Sequence, residues 1–341
     1  MVSTTVSRLG ADRGANGASG FADENYALLL KIFSGEVLRV FDEKQIARDM
    51  VRSRRISGAK EAQFPIIGTA AAGYHEPGKD ISDPSVGLMQ EIQHAERTIL
   101  IDYPLVAPVF MSEFDEAINH YETRSEYAHQ LGQSLANKWD KLLLRVMSKC
   151  GDATATVTGT YDGHEIDQNS TSYTVANFID HVFDAKQKFD ERNVPMENRF
   201  LIVPPAWEIA LIKSDNKLLD RDYNPDPNGS YSRATVGRMA GMTIVTSNHV
   251  PFDSSAPGAE SGQKNSSYAG TEALKVQALA VTPEAVGQVS LWDMEVQSQY
   301  SALHQGTFLM ARMACGADIL KPECCIPIIN TASGAVQGPA A

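Results

Sequence analysis

The residues best suited to chemistry are two Glu-x-x-His pairs, Glu91/His94 and Glu126/His129. Two such pairs, joined by two further glutamates, hold a di-iron centre inside four-helix bundles. Glu122 stands one turn before Glu126 and could supply one of those glutamates. The chemistry needs four long antiparallel helices, and this chain offers one. Glu91 and His94 sit between a Pro/Gly-rich tip and a proline-broken extended stretch. A di-iron or other metalloenzyme is therefore the alternative from a different functional class, and metal analysis of the purified protein separates it. No nucleophile elbow, phosphate loop, H-E-x-x-H or dinucleotide glycine pattern occurs. Cys150 ends an apolar helical stripe, which marks a core residue before it marks a nucleophile. The other cysteines are Cys315, Cys324 and Cys325, with no C-x-x-C pair among them. They read as reduced thiols of a cytoplasmic protein. No catalytic, cofactor-binding or metal-binding residue is assigned.

The elements that would position these groups follow from periodicity. Residues 1–22 are rich in Gly, Ser, Ala and Thr and read as a flexible arm. Arg8 and Arg13 precede no apolar core, so this is not a secretory signal. Tyr26, Leu29, Leu30, Phe33, Val37, Leu38 and Phe41 recur at steps of three and four, which predicts a helix or helix pair. Two extended stretches follow, 61–75 and 97–111, with Pro65, Pro104 and Pro108 inside them. Pro77, Gly78, Pro84 and Gly87 punctuate the tip between them. This pattern reads as a two-armed hairpin, and a fifteen-residue arm reaches up to roughly 50 Å. Spacing alone favours an ordinary edge hairpin.

From Phe114 to Cys150 the apolar spacing turns helical. Ser112 with Asp115 makes a capping box and Gly151 a stop. A helix over 112–149 would be about 57 Å long. It is a spine for other elements. A second helix fits 174–192, a strand 200–203, and a short helix 205–213. Further strands fit 242–246, 274–281 and 286–297, with loops at 222–231 and 253–270. Helices and strands mix without alternating, so the class is α+β.

The chain has 341 residues, enough for about two domains, and 43% of them are apolar. No run of about 20 apolar residues occurs, so no membrane span is expected. The formal charge of −12 repels polyphosphate and argues against a dedicated nucleic-acid binder. Against that background, 44–60 is basic: Lys44, Arg48, Arg52, Arg54, Arg55 and Lys60 face one acid, Asp49. Residues 76–96 carry Glu76, Asp80, Asp83, Glu91 and Glu96 against Lys79, a net of −4. The basic run is either a solvated surface or a contact surface for an acidic neighbour. Because the chain holds its own complement, Arg52, Arg54, Arg55, Lys60, Glu76, Asp80 and Asp83 are candidate subunit-contact residues.

Several long runs resemble the major capsid proteins of T-seven-type podoviruses. They are F-S-G-E-V-L from Phe33, S-G-A-K-E-A-Q-F-P-I-I-G from Ser57, I-N-H-Y-E-T-R-S-E-Y from Ile118 and Q-L-G-Q-S-L-A from Gln130. The likeness in order and spacing covers about 25–150. F-L-I-V-P-P from Phe200 and G-M-T-I-V-T-S-N-H-V-P from Gly241 are similar to a looser pattern of tailed-phage capsids. The resemblance implies the Hong Kong 97 capsid fold. On that fold, 1–60 is an N-terminal arm, 61–111 an extended loop lying on a neighbouring subunit, and 112–195 a peripheral domain with its spine. Residues 196–272 are then an axial domain, and 273–341 the peripheral sheet and C-terminal tail. The family thus reverses the edge-hairpin reading.

The resemblance also implies a function. The protein would assemble as pentamers and hexamers into an icosahedral phage head around double-stranded DNA, without sequence-specific binding. It would work with scaffolding and portal proteins in the host cytoplasm and end in the virion. Some members of the wider fold cross-link through a loop lysine, and Lys60 and Lys79 lie near. The podovirus resemblance speaks against cross-linking. An encapsulin-like compartment shell is the alternative within the fold, separated by whether a portal or a cargo gene lies beside it.

Overall fold

The computed structural model describes residues 46–70, 72–82, 92–114, 124–157, 159–214, 237–252, 260, 262–268, 274–332 and 336–339. Residues 1–45 of the expected arm, with the helical stripe of 26–41 and Lys44, lie outside the described residues, as do Asp83, Glu91, Asp115, Glu122, the loop 222–231 and most of the loop 253–270.

Helix α1, Arg124–Ser148, is the central element. Leu131, Leu135, Trp139, Leu142, Leu143, Val146 and Met147 bury one stripe of it. At 1.5 Å per residue its described part spans about 38 Å. It ends one residue before the expected boundary and passes into a 3-10 turn, Lys149–Asp152. Two thiols close its last carbonyls: Cys325 Sγ donates to the Met147 oxygen (3.2 Å) and Cys150 Sγ to that of Val146 (3.6 Å). All four cysteines are free and buried.

One sheet, ordered β1-β10-β11-β4, packs on this helix. Its strands are β1 (Arg52–Arg55), β10 (Val286–Ser301), β11 (Gly306–Ile319) and β4 (Leu105–Ser112). Leu105, Ala107, Val109 and Met111 alternate inward against the main core, while Val106, Pro108 and Phe110 face out. Pro108 is tolerated because β4 is an edge strand. Strand β1 pairs parallel to β10 on the far edge, from Arg52 opposite Gly287 to Arg55 opposite Ser290.

The second sheet is ordered β5-β12-β9-β6-β8-β7. Its strands are β5 (Ile166–Asp167), β12 (Cys325–Ile329), β9 (Val276–Val281), β6 (Phe200–Val203), β8 (Met242–Thr246) and β7 (Arg238–Met239). Helix α2, Val175–Glu191, begins at Thr174, whose side chain accepts from the Asn177 amide. It buries Phe178, Val182, Ala185 and Phe189. Helix α3, Pro205–Ser214, stacks Trp207 on Phe178 with ring centroids 4.4 Å apart. The indole N–H of Trp207 donates to the buried Gln277 Oε1 at 2.7 Å.

Two expectations need correction. Residues 97–111 are not one hairpin arm. The partner of β2 (Glu61–Ile67) is β3 (His94–Leu100), and 105–112 joins the helix-backed sheet. Pro104 separates the two strands, and the period-two stripe of β4 needs a core that a free arm lacks. Residues 273–341 do not form one sheet either. Strands β10 and β11 build the first sheet, while β9 and β12 pair within the second. No described helix is long and apolar enough to cross a membrane.

Candidate assembly surfaces

The hairpin β2–β3 has two unlike halves. Near its base Ala62, Phe64, Ile99 and Ile101 are buried with Val289, Ala314 and Leu320 in a small separate core. Burying side chains such as Phe64 and Ile99 stabilises the base by about 1.5–3 kcal/mol each. Further out this core stops. Ile67 is 63% exposed, and every described residue from 72 to 82 is exposed. Tyr74 and Ile81 stand in water there, and Ile92 on the returning side. Such apolar groups gain from cover that the described residues do not provide.

The acidic tip is locally ordered. Gly78 takes φ +91° in a turn where the Lys79 amide donates to the Glu76 carbonyl (3.2 Å). Lys79 Nζ pairs with Glu76 at 2.5 Å. Asp80 accepts from the Ser82 amide (2.9 Å) and hydroxyl (2.8 Å), which hold its carboxyl below the usual range.

Arg52, Arg54 and Arg55 of the basic run lie on β1, an edge of the helix-backed sheet. All four residues of β1 are exposed. Arg55 reaches Asp293 Oδ2 at 3.1 Å and Arg48 the Oδ1 at 3.3 Å, so part of the charge is neutralised within the chain. Sequence spacing missed this because Asp293 is more than 200 positions away. Arg54 donates to the Gln63 carbonyl (3.3 Å) and lies over the Phe64 ring at 5.9 Å. Lys60 is exposed, and its carbonyl accepts from the Ile101 amide at 3.1 Å. Among the described residues no ion pair joins Arg52, Arg54, Arg55 or Lys60 to Glu76 or Asp80.

A second exposed surface lies on the face of β4, β10 and β11 that carries Val106, Phe110, Met310 and Phe308. Strand register places Phe110 opposite Phe308 and Val106 opposite Arg312. The phenyl rings of Phe110 and Phe308 are 6.0 Å apart, and His304 meets Phe110 edge-on at 6.1 Å. Leu303, at the β10–β11 turn, is 94% exposed. No spacing signal marked this surface.

The groups picked out for chemistry are dispersed. His94 lies on the exposed hairpin, and Glu126 and His129 on α1. Among the described residues no three potential metal ligands cluster. Burial pushes the Cys315 and Cys324 thiols up to about 11, so they stay protonated core groups. Among the described residues, the deeply buried acid–imidazole pair is structural in placement. Asp140 of α1 lies 2.6 Å from His249 Nδ1 and also accepts from the amides of Ile46 (3.2 Å) and Ala47 (2.8 Å). It ties the entering chain and the segment after β8 to the spine.

A helix-backed sheet, a second sheet fed by distant segments, and a hairpin with half a core together define a capsid subunit of the Hong Kong 97 type. Solved capsids share this fold. The capsid of cyanophage P-SCSP1u superposes with a TM-score of 0.78 and 31% identity, covering 91% of this chain and 95% of that one. The mature capsid of bacteriophage PhiM1 matches at 0.72 and 18% identity over 89% and 92%, a likeness of fold. The chain belongs to the Gp10A-like major capsid protein family, whose model matches residues 63–329. The major capsid protein of Escherichia phage T7 is 30% identical over 92% of this chain and 95% of its own length. That phage's minor capsid protein is also 30% identical, over 83% of its own length. This is a structural protein of a tailed-phage shell.

Proposed function

We propose that the protein builds the icosahedral head of its phage from pentamers and hexamers. The head encloses double-stranded DNA without sequence-specific binding. Assembly takes place in the host cytoplasm with scaffolding and portal proteins. In this reading the helix-backed sheet is the peripheral part and the six-stranded sheet the axial part, with 273–341 feeding both. Residues 1–60 form the arm and 61–100 the extended loop, from which 105–112 returns to the helix-backed sheet. The hairpin lies on the next copy, where Arg52, Arg54, Arg55 and Lys60 meet Glu76, Asp80 and Asp83.

One observation carries this reading. The hairpin has an apolar core at its base and exposed apolar side chains beyond it. A head-to-tail contact repeated around a ring covers such an arm at every position. Each contact can be modest, because every subunit is held at several sites at once. Co-expression with the scaffold gene, followed by negative-stain microscopy, should give closed shells of wild-type phage dimensions. Small soluble oligomers under every condition would overturn the reading.

A further inference from the structure

The hairpin is touched from the side by the loop that follows the spine. The two limbs of that loop, 153–157 and 159–163, are stitched to each other. The Gly163 amide donates to the Ala153 carbonyl (2.7 Å), and the Ala155 amide to Asp162 Oδ1 (2.7 Å). The Val157 carbonyl accepts from both the amide (3.2 Å) and the hydroxyl (2.6 Å) of Thr160. The loop is also pinned to the body. The Tyr161 amide donates to Glu323 Oε2 at 2.9 Å, and Gly163 packs so close that a Cβ there would fall 2.0 Å from the Cys150 carbonyl oxygen.

This stiff loop meets both sides of the hairpin. On β3, Arg97 Nε donates to Thr156 Oγ1 at 2.8 Å, and its Nη2 reaches the Thr154 carbonyl at 3.4 Å. Just past β2, Gly159 abuts Thr69. Gly159 has φ +95°, and a Cβ there would fall 2.2 Å from Thr69 Oγ1. The hairpin is thus fixed at its base by an apolar cluster and flanked by this loop on both sides, with the Arg97 hydrogen bonds on β3 and a close steric approach at Thr69.

We propose that this loop is a brace that sets the angle of the hairpin, and that Arg97 is its releasable catch. The inference rests on the reading that the hairpin lies on a neighbouring copy. Rings of five and of six ask one hairpin to leave the body at more than one angle. An apolar side contact would resist that change. A pair of exposed hydrogen bonds can break to water and reform, so it favours one angle without forbidding the other. The base core keeps the hairpin attached meanwhile. Arg97 is a positioning residue, acting through where it holds the strand.

The test uses the full chain as unassembled subunit and as shells. Arg97→Ala removes the fork, and Thr156→Val removes one acceptor. Each should raise amide exchange across 61–67 and 94–100 by about tenfold, while the melting temperature and exchange in α1 stay at wild type. The double variant should add little to either single change, since both remove one interaction. Arg97→Lys keeps the charge without the fork and should restore protection only in part. Shells of Arg97→Ala should vary in diameter where wild type gives one size. Unchanged exchange in the single variants overturns the brace. So does a general rise in exchange with a fall in melting temperature, which would make the contact ordinary stabilisation. Raised hairpin exchange with uniform shells overturns the role in setting the angle. Exchange in the unassembled subunit needs no neighbour. If the hairpin does not lie on a neighbour, cutting back its tip leaves shells intact, and the exchange result still decides the brace.

Discussion

In strand β9 every residue from Val276 to Val281 is buried. In strand β2 only Ala62 and Phe64 are. Both segments are apolar enough to form a core. The difference lies in what flanks them. Strand β9 has β12 and β6 as neighbours, which complete its ladder. Strand β2 has one partner, β3, and a small cluster under its first half. The first region therefore sets whether the subunit folds. The second leaves apolar side chains and an acidic tip free for another molecule. If that division holds, substitutions should separate folding from assembly.

The largest effect on folding belongs to the spine. Leu135 is 3% exposed in the interior of α1. Leu135→Pro removes a backbone hydrogen bond and clashes with the preceding turn, at a cost of about 3 kcal/mol or more. Circular dichroism should show loss of the subunit fold, and no shells should form. A step lower stands Leu279→Ala in β9. It leaves a cavity in a fully buried strand and should cost about 2–5 kcal/mol in urea unfolding. A value near zero would mean that the six-stranded sheet is not the folding core.

How much of this was legible beforehand depends on each element's neighbours. The runs Phe200–Val203 and Met242–Thr246 were read with their observed bounds, because short continuous apolar runs sit between breakers. Helix α2 was read to within a residue, since Thr174 caps an unbroken stripe. Strand β11 was missed. Its glycines depress strand propensity, yet packing demands them. A Cβ on Gly316 would lie 2.0 Å from the Leu100 carbonyl oxygen, and one on Gly306 2.3 Å from that of Met111. Gly287 of β10 makes the same concession, 2.8 Å from Ile99 Cδ1. These close approaches seat the hairpin base and β4 against the sheet, and nothing local announces them. The pairing of Arg48 and Arg55 with Asp293 was hidden for the same reason. The neighbour-bound reading of the hairpin came from family resemblance and not from spacing.

Deleting residues 77–87 sharpens the comparison from the other side. Every described residue in that span is exposed, so the loss removes no described core side chain. Unfolding free energy should change by less than about 0.5 kcal/mol, as for surface changes away from special features. Shells should vanish or become fragile. An unfolded deletion variant would place the tip in an ordinary core and erase the contrast with β9.

The smallest effect concerns charge, and the ion pairs on Asp293 refine it. Reversing Arg55 would set a new carboxylate against Asp293, so that substitution mixes an internal repulsion with any effect on a neighbour. Arg52 and Arg54 make no ion pair with a described residue, so Arg52→Glu with Arg54→Glu adds no carboxylate repulsion at Asp293 and gives up only the exposed bond of Arg54 to the Gln63 carbonyl and its place over the Phe64 ring. Exposed pairs contribute at most about 1 kcal/mol each and are screened by salt. Their role is register and approach more than strength. The double reversal should leave the melting temperature near wild type and slow shell assembly in the absence of DNA. Moderate salt should slow wild-type assembly in the same direction and affect the reversed protein less. Adding Glu76→Lys and Asp80→Lys to the reversal should recover part of the rate, because the two surfaces again carry opposite signs. If the reversed protein builds empty shells at the normal rate and loses only DNA retention, the basic strand faces the genome and the acidic tip has another partner.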